Sequence, residues 1–412
     1  MSKKLETYLV GGAVRDAALG VCVADRDWVV VGSSPEQMIE FGYAPVGNDF
    51  PVFIDRKSGE EYALARTERK TSKGYQGFEF CASEEITLEQ DLQRRDITIN
   101  AMAEDSKGNL IDPFNGLADL KAGIIRHVSD SFIEDPVRIL RVARFAARFN
   151  FTIAEETQTL LKTMVNNGEV DALVPERVWA EMKKALDTDA PQTFFQTLRD
   201  CGALKKILPE IDELFGVPQT AKYHPEIDSG IHTLMVVEQA ARITSDPIVR
   251  FAALVHDLGK AKTPAHVLPS HKGHEKGGLP LIKQMCERLR IPKKHLSLAL
   301  AVAEYHLHMH KMAELRPETV LKMLEQTRSV NDSARALQIT QCCTADAKGR
   351  TGLENQEYPQ ADLFLKYQKA ANEVDGGKIA QGMTDGSQIQ EAIRMARISA
   401  IRKVKRSSSG DT

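Results

Sequence analysis

The 412-residue chain has no apolar run approaching the length of a bilayer, and its opening "MSKKLETYLVGG" has no apolar h-region. Neither a membrane helix nor a signal peptide is expected, and a cytoplasmic location follows. The six cysteines are scattered, and the one close pair, Cys342 and Cys343, is adjacent instead of spaced like a zinc or redox motif. They read as reduced core thiols. A basic excess is missing too: 54 Lys and Arg stand against 57 Asp and Glu, for a net charge of −3. Any polyanionic partner must therefore meet local patches of Lys and Arg, because no global field draws it in.

What is there changes character along the chain. "TYLVGG" and "DWVVVG" are short β-branched runs ended by glycines, and "AVRDAALG" between them has helical composition. "FPVFID" and "EEYALAR" are further strand candidates, and "GNLIDPFNG" reads as a strand and turn. An α/β segment to about Asn115 is predicted. Beyond Asp112 helix follows helix: "EDPVRILRVARFAARF" opens with Asp135 before Pro136, an N-cap and first-turn arrangement. Most of residues 120–400 should be helical, giving an α+β chain, with the tail "RKVKRSSSGDT" disordered.

"DRDWVVVG" places Asp25 and Asp27 at the mouth of an apolar strand. Residues i and i+2 of a strand share a face, so the two carboxylates lie side by side and need a counter-ion. Mg²⁺ suits that role, because it is held by one or two carboxylates together with substrate phosphates. A solvated strand edge paired with Arg26 or Arg15 would look the same. The neighbouring "LVGGAVRD" adds Gly11, Gly12 and Arg15 between strand and helix, where backbone N–H groups can hold a triphosphate. Two arginine groups follow: Arg95 four residues after Asp91, and Arg138, Arg141 and Arg144 three apart with Arg148 beside them. The first has the spacing of an ordinary helix ion pair, and the second that of a solvated cationic face.

Taken in order and spacing, "LVGGAVRD", "DRDWVVVG", "DLQRRDITINA" and "EDPVRILRVARFAARF" resemble the class II CCA-adding tRNA nucleotidyltransferases of the polymerase-β-like superfamily, in the bacterial, gammaproteobacterial type with an appended HD domain. The match runs almost continuously from Tyr8 to about Asn150. The resemblance implies that Asp25 and Asp27 hold the catalytic Mg²⁺ and that Gly12 and Arg15 hold the triphosphate. Arg95, Arg141 and Arg144 would contact the nucleotide, and Asp135 with Arg138 would read the incoming base. Glu61 is the candidate third carboxylate, its register being unreadable from sequence. Implied segments are a head at 1–119, a nucleotide-recognition and tRNA-binding region at 120–225, an HD domain at 226–330 and a helical C-terminal region at 331–412.

Base chemistry supports the reading role independently. Cytosine and adenine both present an amine donor beside a ring-nitrogen acceptor, whereas uracil and guanine present a carbonyl beside an N–H. An acceptor at Asp135 next to a donor at Arg138 therefore matches CTP and ATP and leaves UTP and GTP with opposed groups. The alternative is that Asp135 is only an N-cap.

A second constellation lies between His232 and His310. "IHTLMVVEQ", "ALVHDLGK", "SHKGHEKGG" and "EYHLHMH" space His232, His256, Asp257, His271, His274 and His306 along a predicted helical region. This composition suits a metal site of imidazoles, and Ni, Zn, Cu or Fe better than Mg. It resembles the HD phosphohydrolases, which implies His256 and Asp257 as the metal doublet, His232 as a further ligand and a late carboxylate, for which Asp346 fits the order. The resemblance also implies Ni²⁺-favoured phosphatase, 2′-nucleotidase and 2′,3′-cyclic phosphodiesterase activities.

Expected partners are the tRNA 3′ end, CTP and ATP, with no membrane and a monomer or weak homodimer. Three other classes remain open: a poly(A) polymerase of the same family, a signalling nucleotidyltransferase with an HD domain, and a non-catalytic tRNA-binding protein.

Overall fold

The computed structural model describes residues 5–23, 25–46, 52–70 and 78–409, with side chains described outside 68–82 and 408–409. The chain forms two compact units, one running to Ala185 and including Thr197–Lys206, the other comprising Leu186–Gln196 and the chain from Ile207 onward. The four segments expected from sequence distribute over these two. Among the described residues no helix is long and apolar enough to cross a membrane.

The first unit is built on a seven-stranded sheet. Its strands are β1 Glu6–Val10, β2 Asp27–Val31, β3 Ala44–Val46, β4 Val52–Ile54 and β5 Glu61–Leu64. A separate pair, β6 Arg66–Lys70 with β7 Phe78–Ala82, precedes the last two strands of the sheet, β8 Ala103–Glu104 and β9 Leu110–Ile111. The sheet order is β3-β4-β5-β2-β1-β8-β9, and β2 with β5 is its parallel pair. The unbroken apolar run of β2 follows from burial on both faces. Val29 packs with Val10, Leu92 and Ala103, whereas Val30 packs on the other side with Met38, Phe53 and Leu64. The part of "FPVFID" at Phe50 and Pro51 lies outside the described residues.

Helices take over after the sheet. Val137–Phe149 is a 13-residue helix whose apolar positions Ile139, Leu140, Ala143 and Ala147 are all buried, as the period of its sequence requires. The second unit is helical, and Ser229–Ile243, Pro247–Val255, His274–Arg288, Lys293–His310 and Ser333–Lys348 form its packed centre around Val236, Ala240, Ala253 and Ala345. The C-terminal tail corrects one expectation. A single helix runs Gly386–Ser409, so "RKVKRSSS" is helical; Ile398 and Ile401 are buried and Arg402 pairs with Glu318 at 2.8 Å, which anchors the basic turn that composition alone reads as disordered.

Candidate functional site

In the first unit the tight turn after β1 sets the geometry. Gly11 has φ +67°, and a Cβ there would lie 2.9 Å from Arg95 Nη1, so only glycine lets the guanidinium come so close. Asp27 opens β2 and Asp25 precedes it, so the acidic pair straddles the strand start instead of sharing the strand as expected. Both still line one cavity of ≈ 720 Å³, together with Gly12, Arg15, Arg95, Asp135, Arg138, Arg141 and Arg144. All nine transferase residues named from sequence thus meet at one place. Glu61 is the direct register partner of Asp27 across the parallel β2–β5 pair and lines the same cavity. The lining carries twice as many cationic side chains as carboxylates, and no histidine among the described residues. That balance suits a highly anionic ligand approaching a small acidic cluster.

The arginine stripe is not a solvated face. Arg141 Nε lies 2.7 Å from Asp96 Oδ2, Arg144 Nε 2.5 Å from Glu181 Oε2 and Arg148 Nη2 3.0 Å from Asp16 Oδ2. Asp96 illustrates the balance of forces. Burial alone would raise its pKa, but Arg141 and the Asn100 amide hold it at about 2. Arg15 donates to Asp16 and Asn100 and lies over the rings of Phe145 and Phe149. The Asp91–Arg95 contact departs from an ordinary helix pair as well. Asp91 is fully buried and takes both Arg94 and Arg95, at 2.6 and 3.1 Å, so it aims the two cations at the cavity.

Asp135 lines the same cavity as Arg138 and stands two residues before the helix Val137–Phe149. Its Oδ1 accepts from the Val137 N–H at 3.0 Å, which caps the helix, while Oδ2 faces Arg177 Nη2 at 3.3 Å. Pro136, not Asp135, occupies the N-cap position. Arg138 donates from Nη1 to Ser131 O at 3.0 Å and from Nη2 to Arg94 O at 2.6 Å, which fixes the plane of its guanidinium. Asp96, Arg177 and Glu181 were missed in the sequence. Nothing local in "PERVWAEMKK" reveals that Arg177 and Glu181 turn inward.

In the second unit five helices converge on one cluster. His232 comes from Ser229–Ile243, His256 and Asp257 from the end of Pro247–Val255, His274 from the first residue of His274–Arg288, His306 from Lys293–His310 and Asp346 from Ser333–Lys348. His232 Nε2 is 3.1 Å from Asp346 Oδ1, His256 Nε2 is 3.2 Å from Asp257 Oδ2, and His274 Nε2 is 3.0 Å from Asp257 Oδ1. His306 Nε2 lies 3.5 Å from the same Asp257 oxygen. His271 is not part of it: its nitrogens are taken by Thr263 at 2.8 Å and Pro218 O at 3.0 Å.

The tautomers inferred from this network explain what the cluster can do. The Nδ1 atoms of His232, His256, His274 and His306 each face a backbone carbonyl, at 2.9, 2.7, 2.6 and 3.0 Å. Each must therefore carry its proton on Nδ1, leaving four Nε2 lone pairs aimed at two carboxylates. Such a set has the donors to hold a cation. His256 Nε2 faces Asp257 Oδ2 at 3.2 Å without forming a hydrogen bond, and against the lowering effect of burial Asp257 and Asp346 raise the His256 pKa to about 10, so a proton and a metal ion compete for this one lone pair. A field that draws a proton to that nitrogen would equally hold a metal ion. Three overlapping groups of side chains here have ligand atoms close enough to share an ion. Lys260 Nζ, 2.5 Å from Asp257 Oδ2, and His310 Nε2, 2.7 Å from Asp346 Oδ2, are contributors the sequence reading did not name. A cavity of ≈ 670 Å³ opens onto Asp257, His306 and Asp346, rimmed by Lys260, Lys311 and Arg350.

The halves of the chain match separate family models: the poly A polymerase head domain over residues 7–126, the probable RNA and SrmB-binding site of polymerase A over 150–215 and the HD domain over 230–345. These define a nucleotidyltransferase head joined to an HD body, two classes that imply divalent-metal dependence. The chain is 55% identical to the multifunctional CCA protein of Laribacter hongkongensis, over 98% of its own length and 100% of the relative's. It is also 55% identical to that of Methylobacillus flagellatus, over 96% and 97%. A solved CCA-adding enzyme with ATP shares the fold at TM-score 0.64 and 23% identity, covering 96% of this chain and 86% of that one. The chain belongs to the multifunctional CCA protein family, as the four sequence motifs led us to expect.

Proposed function

We propose that the first unit adds C, C and A without a nucleic-acid template to the 3′ end of tRNA, using CTP and ATP, and that the HD cluster is a phosphohydrolase acting on phosphate-blocked ends. The observation that carries this reading is the convergence of Asp25, Asp27 and Glu61 with the arginines and the Asp135–Arg138 pair in one cavity. Asp25 and Asp27 would hold Mg²⁺, with Glu61 completing the set, since a carboxylate-only donor group suits that hard cation. When bound, the ion supplies charge neutralisation at the α-phosphate and acidifies the attacking 3′-hydroxyl. Arg15 and the N–H groups beside Gly11 and Gly12 orient the triphosphate, while Arg95, Arg141 and Arg144 stabilise charge as pyrophosphate departs. Asp135 accepts from the exocyclic amine of cytosine or adenine, and Arg138 donates to the ring nitrogen.

In the HD cluster His232, His256, Asp257 and Asp346 would hold Ni²⁺ or another transition metal, which supplies Lewis-acid polarisation of the phosphoryl oxygen. Lys260, His274 and His306 then bind and orient the phosphate. A 2′,3′-cyclic or 3′ phosphate occupies the oxygen that the first site needs as a nucleophile, so the two activities act on successive states of one RNA end. The tRNA would be held by shape and backbone, with salt-sensitive affinity and little base preference. We expect a cytoplasmic monomer or weak homodimer.

End-labelled extension of a tRNA lacking its CCA tests the reading, with each nucleotide alone and then CTP plus ATP, in Mg²⁺, for wild type and Asp25→Ala/Asp27→Ala. Addition of C, C and A that stops there, and its loss in the variant, is expected. A long A tract from ATP alone would replace it with a poly(A) polymerase.

A further inference from the structure

We infer that Glu226 is a positioning residue of the HD metal centre, holding His232 from behind so that its Nε2 faces the metal; this rests on the metal-binding reading proposed above. Glu226 Oε1 lies 3.0 Å from His232 Nδ1, and the two side chains are 2% and 0% exposed. The same oxygen lies 3.0 Å from His224 Nδ1, and Glu226 Oε2 accepts from the Thr351 N–H at 3.4 Å. With Gly349 O 2.9 Å away on the same side, His232 Nδ1 faces two acceptors and must be the protonated nitrogen. The acceptor-only carboxylate thereby fixes both the tautomer and the ring plane, and a carboxylate behind a ligating imidazole also raises its basicity as a donor.

The backbone shows that this placement is imposed against local preference. Ile227, next in the chain, has φ +63° although it is β-branched and 49% exposed, so its own side chain gains little from the conformation. The turn is held on both flanks: Ile227 O accepts from Gln219 N at 2.6 Å, and Asp228 caps the helix Ser229–Ile243 through Gly230 N and Ile231 N at 2.8 and 2.9 Å. A strained residue kept in place by its neighbours marks a position where geometry matters more than local comfort. Here its consequence is that Glu226 points inward to His232 and Asp228 points to the helix start. Nothing in "YHPEIDSGIH" distinguishes Glu226 from a surface carboxylate, because the turn that inverts it is invisible in composition.

The test measures Ni²⁺ affinity of the full chain by competition with a chromogenic chelator, a readout independent of turnover. Glu226→Gln keeps an acceptor of the same shape and should weaken Ni²⁺ about 10-fold; Glu226→Ala removes it and should weaken Ni²⁺ about 100-fold. Far-UV circular dichroism and CCA addition should match wild type in both. Ile227→Gly, which keeps the turn and relieves its strain, should retain wild-type affinity. Affinities of both Glu226 variants within about 2-fold of wild type would overturn the assignment, as would loss of fold in both, which would make the residue purely structural. Two Ni²⁺ per wild-type chain falling to one in His224→Ala would also overturn it, because His224, Glu226 and His232 would then be a metal site themselves. Wild type binding Ni²⁺ no better than Asp257→Ala would instead overturn the underlying metal reading.

Discussion

Asp96→Asn should destabilise the first unit by about 2 kcal/mol at pH 7, with a deficit that shrinks in acid. The native carboxyl sits at about 2 against an ordinary 3.8, because the Arg141 and Asn100 contacts outweigh the cost of burying it. At 1.36 kcal/mol per pKa unit that difference corresponds to about 2 kcal/mol. Asp96 is only 6% exposed, so solvent screening removes little of it. The native pKa is depressed, so this contribution is fully present above pH 4 and is lost as pH falls toward 2, with roughly half left at pH 3. Asn has one oxygen where Asp96 uses two, Oδ2 for Arg141 and Oδ1 for Asn100 and the Ile97 N–H, so its NH2 must face a donor on one side and adds a loss that does not vary with pH.

The chain supplies its own probe. Its two tryptophans, Trp28 and Trp179, both lie in the first unit, so their fluorescence during urea unfolding follows that unit. The midpoint gap between wild type and variant should be widest at pH 7 and clearly narrower at pH 3, by about half of its charge-dependent part. A gap that stays constant over this range would refute the electrostatic reasoning and leave packing or hydrogen bonding as the cause.

Two further outcomes follow from the HD body. Gly259→Ala would place a Cβ 2.0 Å from His274 O and 2.6 Å from Gly278 N, all backbone atoms that cannot swing away; the second unit should lose at least ~2 kcal/mol and its Ni²⁺ affinity, read by thermal circular dichroism and chelator competition. Tyr358→Phe deletes the hydroxyl 2.9 Å from His310 Nδ1 that sets His310 to donate from Nε2 to Asp346; hydrolysis of a 2′,3′-cyclic nucleotide should fall about 10-fold, while CCA addition stays at the wild-type rate.

How far the sequence could be read depended on the distance over which each feature is decided. The acidic pair, the glycine turn and the helix opening at Pro136 are settled within a few residues, and all three were legible. Glu61 was legible only as a candidate, because its place beside Asp27 depends on strand pairing 34 residues apart. The stripe of Arg141, Arg144 and Arg148 was legible as a pattern, yet its exposure was not, since Asp96, Glu181 and Asp16 arrive from other elements. Among the histidines, composition pointed to the cluster but could not separate His271, spent on Thr263 and Pro218, from His310, which reaches Asp346. The helical tail was hidden for the same reason: Glu318 lies 84 residues upstream of its partner Arg402, and Leu315 lies 90 upstream of Lys405.

The chemistry of the two donor sets bears on how one chain could run two metal-dependent reactions without interference. Carboxylates alone, as at Asp25, Asp27 and Glu61, bind hard cations that retain water and bridge to phosphate, and the lining of that cavity includes no imidazole among the described residues. The buried imidazoles of His232 and His256 with the carboxylates of Asp257 and Asp346 suit borderline transition metals, whose affinity for nitrogen donors is intrinsically higher. On the reading proposed above, abundant Mg²⁺ would compete poorly for the second set, and a scarce transition ion would be drawn there before it could accumulate at the first. The division of labour is therefore written in donor type, and what makes the donors act is the folding that aims them: backbone carbonyls fix four Nδ1 protons on one side, while strand register and a glycine turn bring the acids and arginines together on the other.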